Sequence, residues 1–561
     1  MHKKRVLVVS EFSLLNTGFS VMSHALLNGL HKTGNYEVAE LGSYIQEGDP
    51  RIYAVPWEVY PAQPASSDIV ATKKYYNKYQ ENQFGAMVFD DVVLDFKADC
   101  VCSFRDFWHD SFICKSKYRH LFYYIWSACV DSEPPKDDWL DLYSKVDCVS
   151  SYTQWGLNVL RRYAGEGLIN IADVDTMPGV DLEIFKPLDR KKIRDKYGLR
   201  EDALILMKCA RNQVRKLYPE LIRSFMNAMD HLYKIGCADI ADRSFLYLHT
   251  SLEDVGWDLI KEIKRYNASH KVLFTYFCTK CSAVYPSFVS GKQTFCRKCK
   301  SPQAITTNTA FGVSRETLAE IYNLADAYIQ VQIAGACELP LLEARACGIP
   351  TLAVNYAAPT EFQSLPGSLG LIDVGLFRQE SIQETSQFRG YVDEEDLTKK
   401  ICKILRMPEE KRQEYRLKQR ETAEKYHGFD IYVDKWISLI EEAPTTNQER
   451  WYEKPQPIVV SQDQIPWQLS DPEFVRWCCT TILPPSHYCN RLSYEMDMLK
   501  KLAQGYEIVG QKSVPFTRQS ILAYIFKEAD EFNHFEAHRY NKLVLEPQRK
   551  EEQKVNLRVY S

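Results

Sequence analysis

Residues 320–362 read EIYNLADAYIQVQIAGACELPLLEARACGIPTLAVNYAAPTEF, and the order of apolar runs and breaks in them decides the fold. A helical run over 315–325 is followed by the short apolar run 327–332. A glycine-containing loop then leads to a second helix at 339–347, and CGIP turns the chain into another apolar run at 350–354. Short apolar runs alternating with helices predict parallel strands buried on both faces and joined by crossover helices. A helix that starts around Leu339 just after a strand offers its first backbone N–H groups to a phosphate. One turn into that helix, Glu343 supplies a carboxylate able to accept hydrogen bonds from a ribose diol.

The same alternation extends in both directions. Toward the N-terminus it includes the run ALILMKCA (203–210), a helix at 219–233 and strands at 244–249 and 272–277. Before these, MPGVDLEIFKPLDR (177–190) breaks the pattern with Pro178, Gly179 and Pro187, which sets a domain boundary near 180. The first domain, 1–180, has strands expected at 5–9, 36–42, 86–89, 99–103, 121–125 and 146–150, and a helix from Val21 to His31. The second, 181–442, closes with an amphipathic helix at 427–442. A linker rich in Pro and Gln follows at 443–467, then a mainly helical appendage at 468–561. The expected fold class is therefore α/β, with two Rossmann-like domains. Such sheets take ligands at the carboxyl ends of their strands.

Composition bounds the rest. A chain of 561 residues exceeds what one hydrophobic core supports, and 45% hydrophobic with 26% charged residues is ordinary for a globular protein. The formal net charge of −4 supplies no global attraction to nucleic acid or acidic lipid. No apolar run reaches the length of a membrane span. The start MHKKRVLVVS reads as a buried first strand rather than a signal peptide, so a cytoplasmic location is expected.

Among the 17 cysteines, four are spaced for a metal. Cys278-Thr-Lys-Cys281 and Cys296-Arg-Lys-Cys299 form two CxxC pairs within a segment, 274–304, that interrupts the second domain. Four thiolates fill a tetrahedral Zn²⁺ shell, so such a zinc ribbon is structural and not catalytic. Around the cysteines lie Lys280, Lys292, Arg297, Lys298 and Lys300 with Tyr285, Phe288 and Phe295, and no acidic residue from 278 to 300. That mixture suits a phosphate backbone and a stacked base, or simply a metal-stapled loop whose lysines face water.

The 320–362 stretch resembles the E-G-F-G-L-P-x-x-E-A-x-A-C-G-x-P run of retaining glycosyltransferases of the GT-B fold, family four, the glycogen- and sucrose-synthase-like group. MPGVDLEIFKP (177–187) resembles the family's domain-joining N-G-V-D-x-x-x-F-x-P. KCARNQVRKLYPELIRSF (208–225) resembles its G-R-x-x-x-x-K-G-x-x-x-L-I-x-A-F. The resemblance spans about residues 1–442 and implies a nucleoside diphosphate sugar, UDP- or GDP-linked, as donor. It places Arg211 and Lys216 on the donor diphosphate, where cations stabilise a leaving group that gains negative charge. One departure stands out: eight residues before Glu343, where the family has the first Glu of E-x₇-E, this chain has Gly335. Glu338 sits instead at the family's second glycine, so either it substitutes through a rearranged loop or the donor is recognised differently.

In the first domain, Gly18 in NTGFS matches the family's glycine loop, where a missing side chain lets backbone amides approach the donor phosphate. SFRDFWHDS (103–111) supplies Asp106, His109 and Asp110, with Asp106 and His109 the candidates to face the donor sugar. DSEPPKDDW (131–139) is the candidate acceptor segment by position alone. The acidic triplet Asp173-Val174-Asp175 is not read as a metal site, because cations and a helix start replace the metal in this fold. The resemblance implies sugar transfer with retention and without a catalytic metal. The acceptor is a glycan or, through the basic ribbon, a hydroxymethylated base in DNA. The rival reading is a binding protein that kept the fold without catalysis.

Overall fold

The computed structural model describes residues 3–446 apart from 66–69, 166, 168, 253, 290, 292, 309–310 and 382, together with 451, 459–461, 465–481, 491–509, 512–525, 542–546 and 558–560. The chain forms two compact units, one of residues 1–127, 141–149 and 438–561, the other of 128–140 and 150–437.

The first unit is built on a sheet of six strands, β1 (Lys4–Glu11), β2 (Tyr36–Gln46), β3 (Glu58–Gln63), β4 (Cys100–Ser103), β5 (Tyr123–Ala128) and β6 (Cys148–Ser151). Their spatial order is β3-β2-β1-β4-β5-β6, the doubly wound arrangement. β1 is central and pairs in parallel with both neighbours, Val6 lying opposite Val38 on one side and Cys100 on the other. Its Val6-Leu-Val-Val9 run is fully buried, as a strand covered on both faces must be. The helix Gly18–Thr33 follows. The Thr17 side chain accepts from the Ser20 amide at its start, and Gly34 ends it at φ 71°, a conformation glycine adopts without strain.

The strand expected at 86–89 is absent. Val88 takes a right-handed helical conformation, and Phe89–Phe96 is a helix with Asp90 and Asp91 in its first turn, where carboxylates favour helix starts. The linker expected at 443–467 lies largely outside the described residues. Beyond it the described residues include helices Asp471–Thr481 and Arg491–Gln504 and a hairpin of Tyr506–Val509 with Lys512–Pro515. Phe474, Cys478, Met498, Ile521 and Ile525 share a small core there.

The second unit is centred on five strands in parallel register. In chain order these are β7 (Leu204–Cys209), β8 (Ser244–His249), β9 (Val272–Cys278), then, after three short antiparallel strands, β13 (Ala327–Gln330) and β14 (Thr351–Val354). The three short strands are β10 (Val284–Phe288), β11 (Gln293–Thr294) and β12 (Ala304–Thr306). β10 pairs with β9 from Leu273 to Phe277 and covers the edge of the parallel sheet. β12 pairs with the last residues of β9. The cysteine segment is thus an outgrowth of this sheet and not a detached module. A further strand β15 (Leu371–Ile372) flanks β14, and β16 (Val374–Gln379) with β17 (Phe388–Val392) form a separate hairpin. None of the described helices is long and apolar enough to cross a membrane.

Candidate functional site

In the second unit, the loops that leave the carboxyl ends of β7 and β13 are bonded to each other, the Ile333 amide donating to the Arg215 carbonyl at 3.0 Å. Each is pinned from outside as well. Asn212 exchanges hydrogen bonds with Trp257, 2.7 and 2.9 Å. A Cβ on Gly256 would come within 2.5 Å of the Asn212 side chain and 2.6 Å of its carbonyl, so only glycine allows this approach. The 333–335 loop receives the segment 131–132 and the hairpin. The Gly335 amide donates to the Asp131 carbonyl (3.3 Å), the Gly390 amide donates to Ile333 (2.9 Å), and Arg389 bridges Asp131 and Ser132. The DSEPP stretch therefore frames the glycine loop.

Lys216 and Glu338 meet in this frame. The Lys216 ammonium donates to both Glu338 oxygens (2.7 and 2.8 Å) and to Gln332 Oε1 (2.8 Å), with side chains 6% and 12% exposed. Arg215 stands 4.0 Å from the same carboxylate. Burial pulls Lys216 down to about 8 while Glu338 opposes that pull. Burial raises Glu338, but Lys216, Arg215 and Lys208 together hold it below the usual carboxylate range. A Cβ built on Gly335 would lie 3.3 Å from Glu338 Oε1. The carboxylate of residue 338 thus reaches back beside the very backbone position where a glutamate side chain was missing.

Lys208, which sequence reading passed over, is fully buried on β7. Its ammonium donates to the Val331 carbonyl and lies 5.0 Å from the Tyr218 ring centre. Burial first, and Lys216 second, hold it well below the ordinary lysine range. One basic residue inside an otherwise apolar strand was the available signal.

Glu343 lies one turn into the helix Leu339–Ala346 and accepts from the Tyr322 hydroxyl at 2.9 Å. Burial pushes it up to about 7, against the bond from Tyr322 and the charge of Arg315. At the start of that helix Pro340 has no N–H and the Leu341 amide is taken by the Glu338 carbonyl, which leaves the Leu339 amide to offer an anion. Arg211 is 57% exposed and forms a two-point pair with the nearly buried Asp254, 3.0 and 2.8 Å. It is not drawn into the Lys216–Glu338 cluster. Asp175 of the acidic triplet is paired with Lys435 and Gln154.

In the first unit, Gly18 is the exposed first residue of its helix, and the next residue, Phe19, meets the His109 ring edge-on at 6.1 Å. Phe84 packs against the other side at 4.3 Å. His109 is pushed down to about 3 by burial and by Arg105, so it is neutral at physiological pH and suited to hydrogen bonding rather than proton storage. Its Nδ1 is buried with no hydrogen-bond partner, Asp106 lying 3.8 Å away. Beneath it, Arg105 and Asp110 form a fully buried pair, 2.9 Å from Nε to Oδ1, which also holds Ser43 and the Phe84 carbonyl. Asp110 is accordingly a positioning group, not one open to a ligand.

The four cysteines converge. Cys278 and Cys299 sulfurs are 3.6 Å apart, Cys281 and Cys296 3.7 Å, and all four lie within 4.8 Å of one another. A tetrahedron with metal–sulfur bonds of about 2.3 Å has edges of about 3.8 Å, so the set fits a metal and is too wide for disulfides. The two CxxC turns repeat each other in backbone detail. Ser282 (φ 55°) donates to the Cys278 carbonyl as Lys300 (φ 58°) does to that of Cys296. The Cys278 amide donates to Ala283 as the Cys296 amide does to Ser301. Burial raises the Cys296 thiol, but the amides of Cys299 and Lys298 and its neighbouring sulfurs bring it down to about 6. Of the basic residues, Arg297 is committed to Ser287 and the Tyr285 ring, whereas Lys280, Lys298, Lys300 and Phe295 are exposed. Lys292 lies outside the described residues.

No protein-family model and no curated protein matches the sequence. Solved structures do match the fold. Sucrose-phosphate synthase from Thermosynechococcus elongatus is similar over 79% of this chain and 99% of its own, at 16% identity and a TM-score of 0.55. A glycosyltransferase from Rickettsia africae matches 79% and 99% at 13% identity and TM-score 0.51. Anabaena HepE, in complex with UDP and glucose, matches 79% and 100% at 11% identity and TM-score 0.50. Identities this low establish the architecture, two Rossmann-like α/β domains of the GT-B class, and nothing about the reaction.

Proposed function

We propose that this chain is a glycosyltransferase that moves a sugar from a nucleoside diphosphate sugar to an acceptor hydroxyl with retention at the anomeric carbon. The observation that carries the reading is the Glu338 carboxylate, folded back beside Gly335 and bonded to Lys216. A carboxylate and a cation at one loop match the two needs of the reaction, a group for sugar hydroxyls and a charge for the departing diphosphate. In this reading Lys216, Arg211 and the Leu339 amide serve the phosphates, Glu343 the ribose, and Glu338 the transferred sugar. In the first unit Gly18 lends backbone amides, while His109, with Asp106 beside it, offers a neutral imidazole to a sugar or acceptor hydroxyl. The acceptor oxygen attacks the anomeric carbon as the bond to the diphosphate breaks, and the donor's own phosphate takes the acceptor proton. No catalytic metal enters these steps.

The structural neighbour seen with UDP and glucose is in keeping with a nucleotide-sugar donor, UDP- or GDP-linked. The four thiolates would hold zinc as a closed, structural centre. For the acceptor, a glycan is the first choice. The exposed Lys280, Lys298 and Phe295 keep hydroxymethylated DNA as the second. A cytoplasmic location goes with either.

The test offers UDP- and GDP-sugars with glycans and with hydroxymethylated DNA, and reads transfer products by mass spectrometry. A mass increment on either acceptor, lost in Glu338→Gln, is expected. Absence of hydrolysis, transfer and thermal shift with every donor leaves the non-catalytic binding protein in its place.

A further inference from the structure

A cavity of about 620 Å³ opens at the opposite end of the second sheet, where β7, β8 and β13 begin; Arg190, Arg194, Arg243, Arg406 and Arg412 line it around Asp326. Its size suits a small phosphorylated metabolite. Six basic side chains, those five arginines and Lys191, line it against four carboxylates, Glu201, Asp202, Asp326 and Glu409. Arg190 (2.9 Å), Arg194 (2.9 Å), Arg412 (3.2 Å) and Arg416 (3.1 Å) all converge on the single Asp326 carboxylate. Arg194, Arg412 and Arg416 are 5%, 7% and 10% exposed, and among the described residues the one other carboxylate paired with any of the four, Glu409, is 55% exposed. Buried charge is stable when paired, and here guanidinium groups exceed carboxylates. The Nε atoms of Arg194 and Arg416 are buried without a hydrogen-bond partner. At the cavity wall, Arg243 donates to the Asp202 carbonyl at 3.0 Å, and among the described residues neither Arg243 nor Arg406 forms an ion pair.

We infer that this cavity binds a phosphate group, free or carried on a small molecule, at a site separate from the Lys216–Glu338 loop. Guanidinium forks match phosphate oxygens in geometry and charge, which explains arginine rather than lysine at five positions. Since the cavity lies at the amino ends of strands whose carboxyl ends carry the candidate donor residues, its occupant would act as an effector and not as a substrate. The inference stands whether or not the chain transfers sugars.

The test is thermal denaturation and titration calorimetry of the full chain with inorganic phosphate, pyrophosphate and glucose 6-phosphate at constant ionic strength. A saturable rise in melting temperature is expected, with tighter binding of whichever probe is the better occupant. Arg243→Gln/Arg406→Gln should weaken it at least tenfold, and Lys216→Ala should leave it unchanged. Neither altered arginine touches Asp326, and Arg406→Gln alone serves if the double variant fails to fold. The inference is overturned if no probe gives a saturable shift, if the arginine variants bind as the parent does, or if Lys216→Ala abolishes binding instead.

Discussion

Replacing Glu338 by Gln keeps the side chain's shape and deletes one charge from the Lys216 pair. Removing one partner of a buried ion pair costs about 3–5 kcal/mol when the other charge is trapped. Here it is not trapped. Lys216 already sits at about 8, one unit above pH 7, so shedding its proton costs about 1.4 kcal/mol. A weakened hydrogen bond adds about 1 kcal/mol, and the expected loss at pH 7 is about 2–3 kcal/mol. The sign with pH follows. In the parent, Lys216 falls from its unfolded value near 10.5 to about 8, so it costs stability as pH drops through that window and nothing further below it. In the variant the folded value drops further, and the loss continues toward acid. The penalty therefore shrinks between pH 7 and pH 9, where lysine is neutral in both proteins. Urea denaturation at the two pH values, read by far-UV dichroism and tryptophan fluorescence, measures it. A penalty under about 0.5 kcal/mol at pH 7, or one equal at both pH values, would refute the picture of a buried, mutually dependent pair.

Arg211→Ala should cost about 1–2 kcal/mol, since Arg211 itself is 57% exposed but its partner Asp254 is nearly buried and loses both bonds. It should weaken UDP binding about tenfold or more in calorimetry, and unchanged affinity would remove Arg211 from the diphosphate site. Glu343→Gln should stabilise the protein by about 2 kcal/mol at pH 8 and not at pH 4. The parent carboxyl, at about 7 when folded, holds a proton that the unfolded chain releases above about 4.5, so its cost builds between those values. Equal melting-temperature shifts at pH 4 and pH 8 would sink that assignment. One zinc per chain is expected by plasma mass spectrometry. Cys278→Ser/Cys296→Ser should lose it together with about 3 kcal/mol or more of stability in the second unit, whereas a metal-free yet equally stable parent would refute a structural role.

Most strands of both sheets were readable because parallel strands bury both faces and so appear as unbroken apolar runs, as Leu204–Met207 does. The exceptions have local causes. β3 contains Pro61 and lies at the sheet edge, half exposed, so it carries no such run. The run at 86–89 was apolar but belonged to the turn before a helix. Strand β16 exposes its apolar residues and β17 buries Arg389 and Gly390, so no periodicity marks them. At the candidate site, motif spacing located Lys216, Glu343 and the cysteines, because each belongs to one short segment. The return of Glu338 to Gly335 depends on backbone pinned by Asp131 and Gly390, far away in the chain, and only coordinates show that. The arginine cluster on Asp326 was invisible for the same reason: its four arginines come from two distant helices, Arg190–Tyr197 and Glu409–Tyr426, and the aspartate from the position just before β13.

The covering of β9 by β10 has a consequence for how the protein fails. Residues 272–277, Val-Leu-Phe-Thr-Tyr-Phe, are uncharged, rich in β-branched and aromatic residues and free of proline, the composition that recruits strands from other molecules when its edge is open. β10 shields that edge, and the first cysteine turn joins it to the end of β9. Loss of the cysteine cluster should therefore show itself first as self-association, with turbidity growing at temperatures where circular dichroism still reports a folded chain.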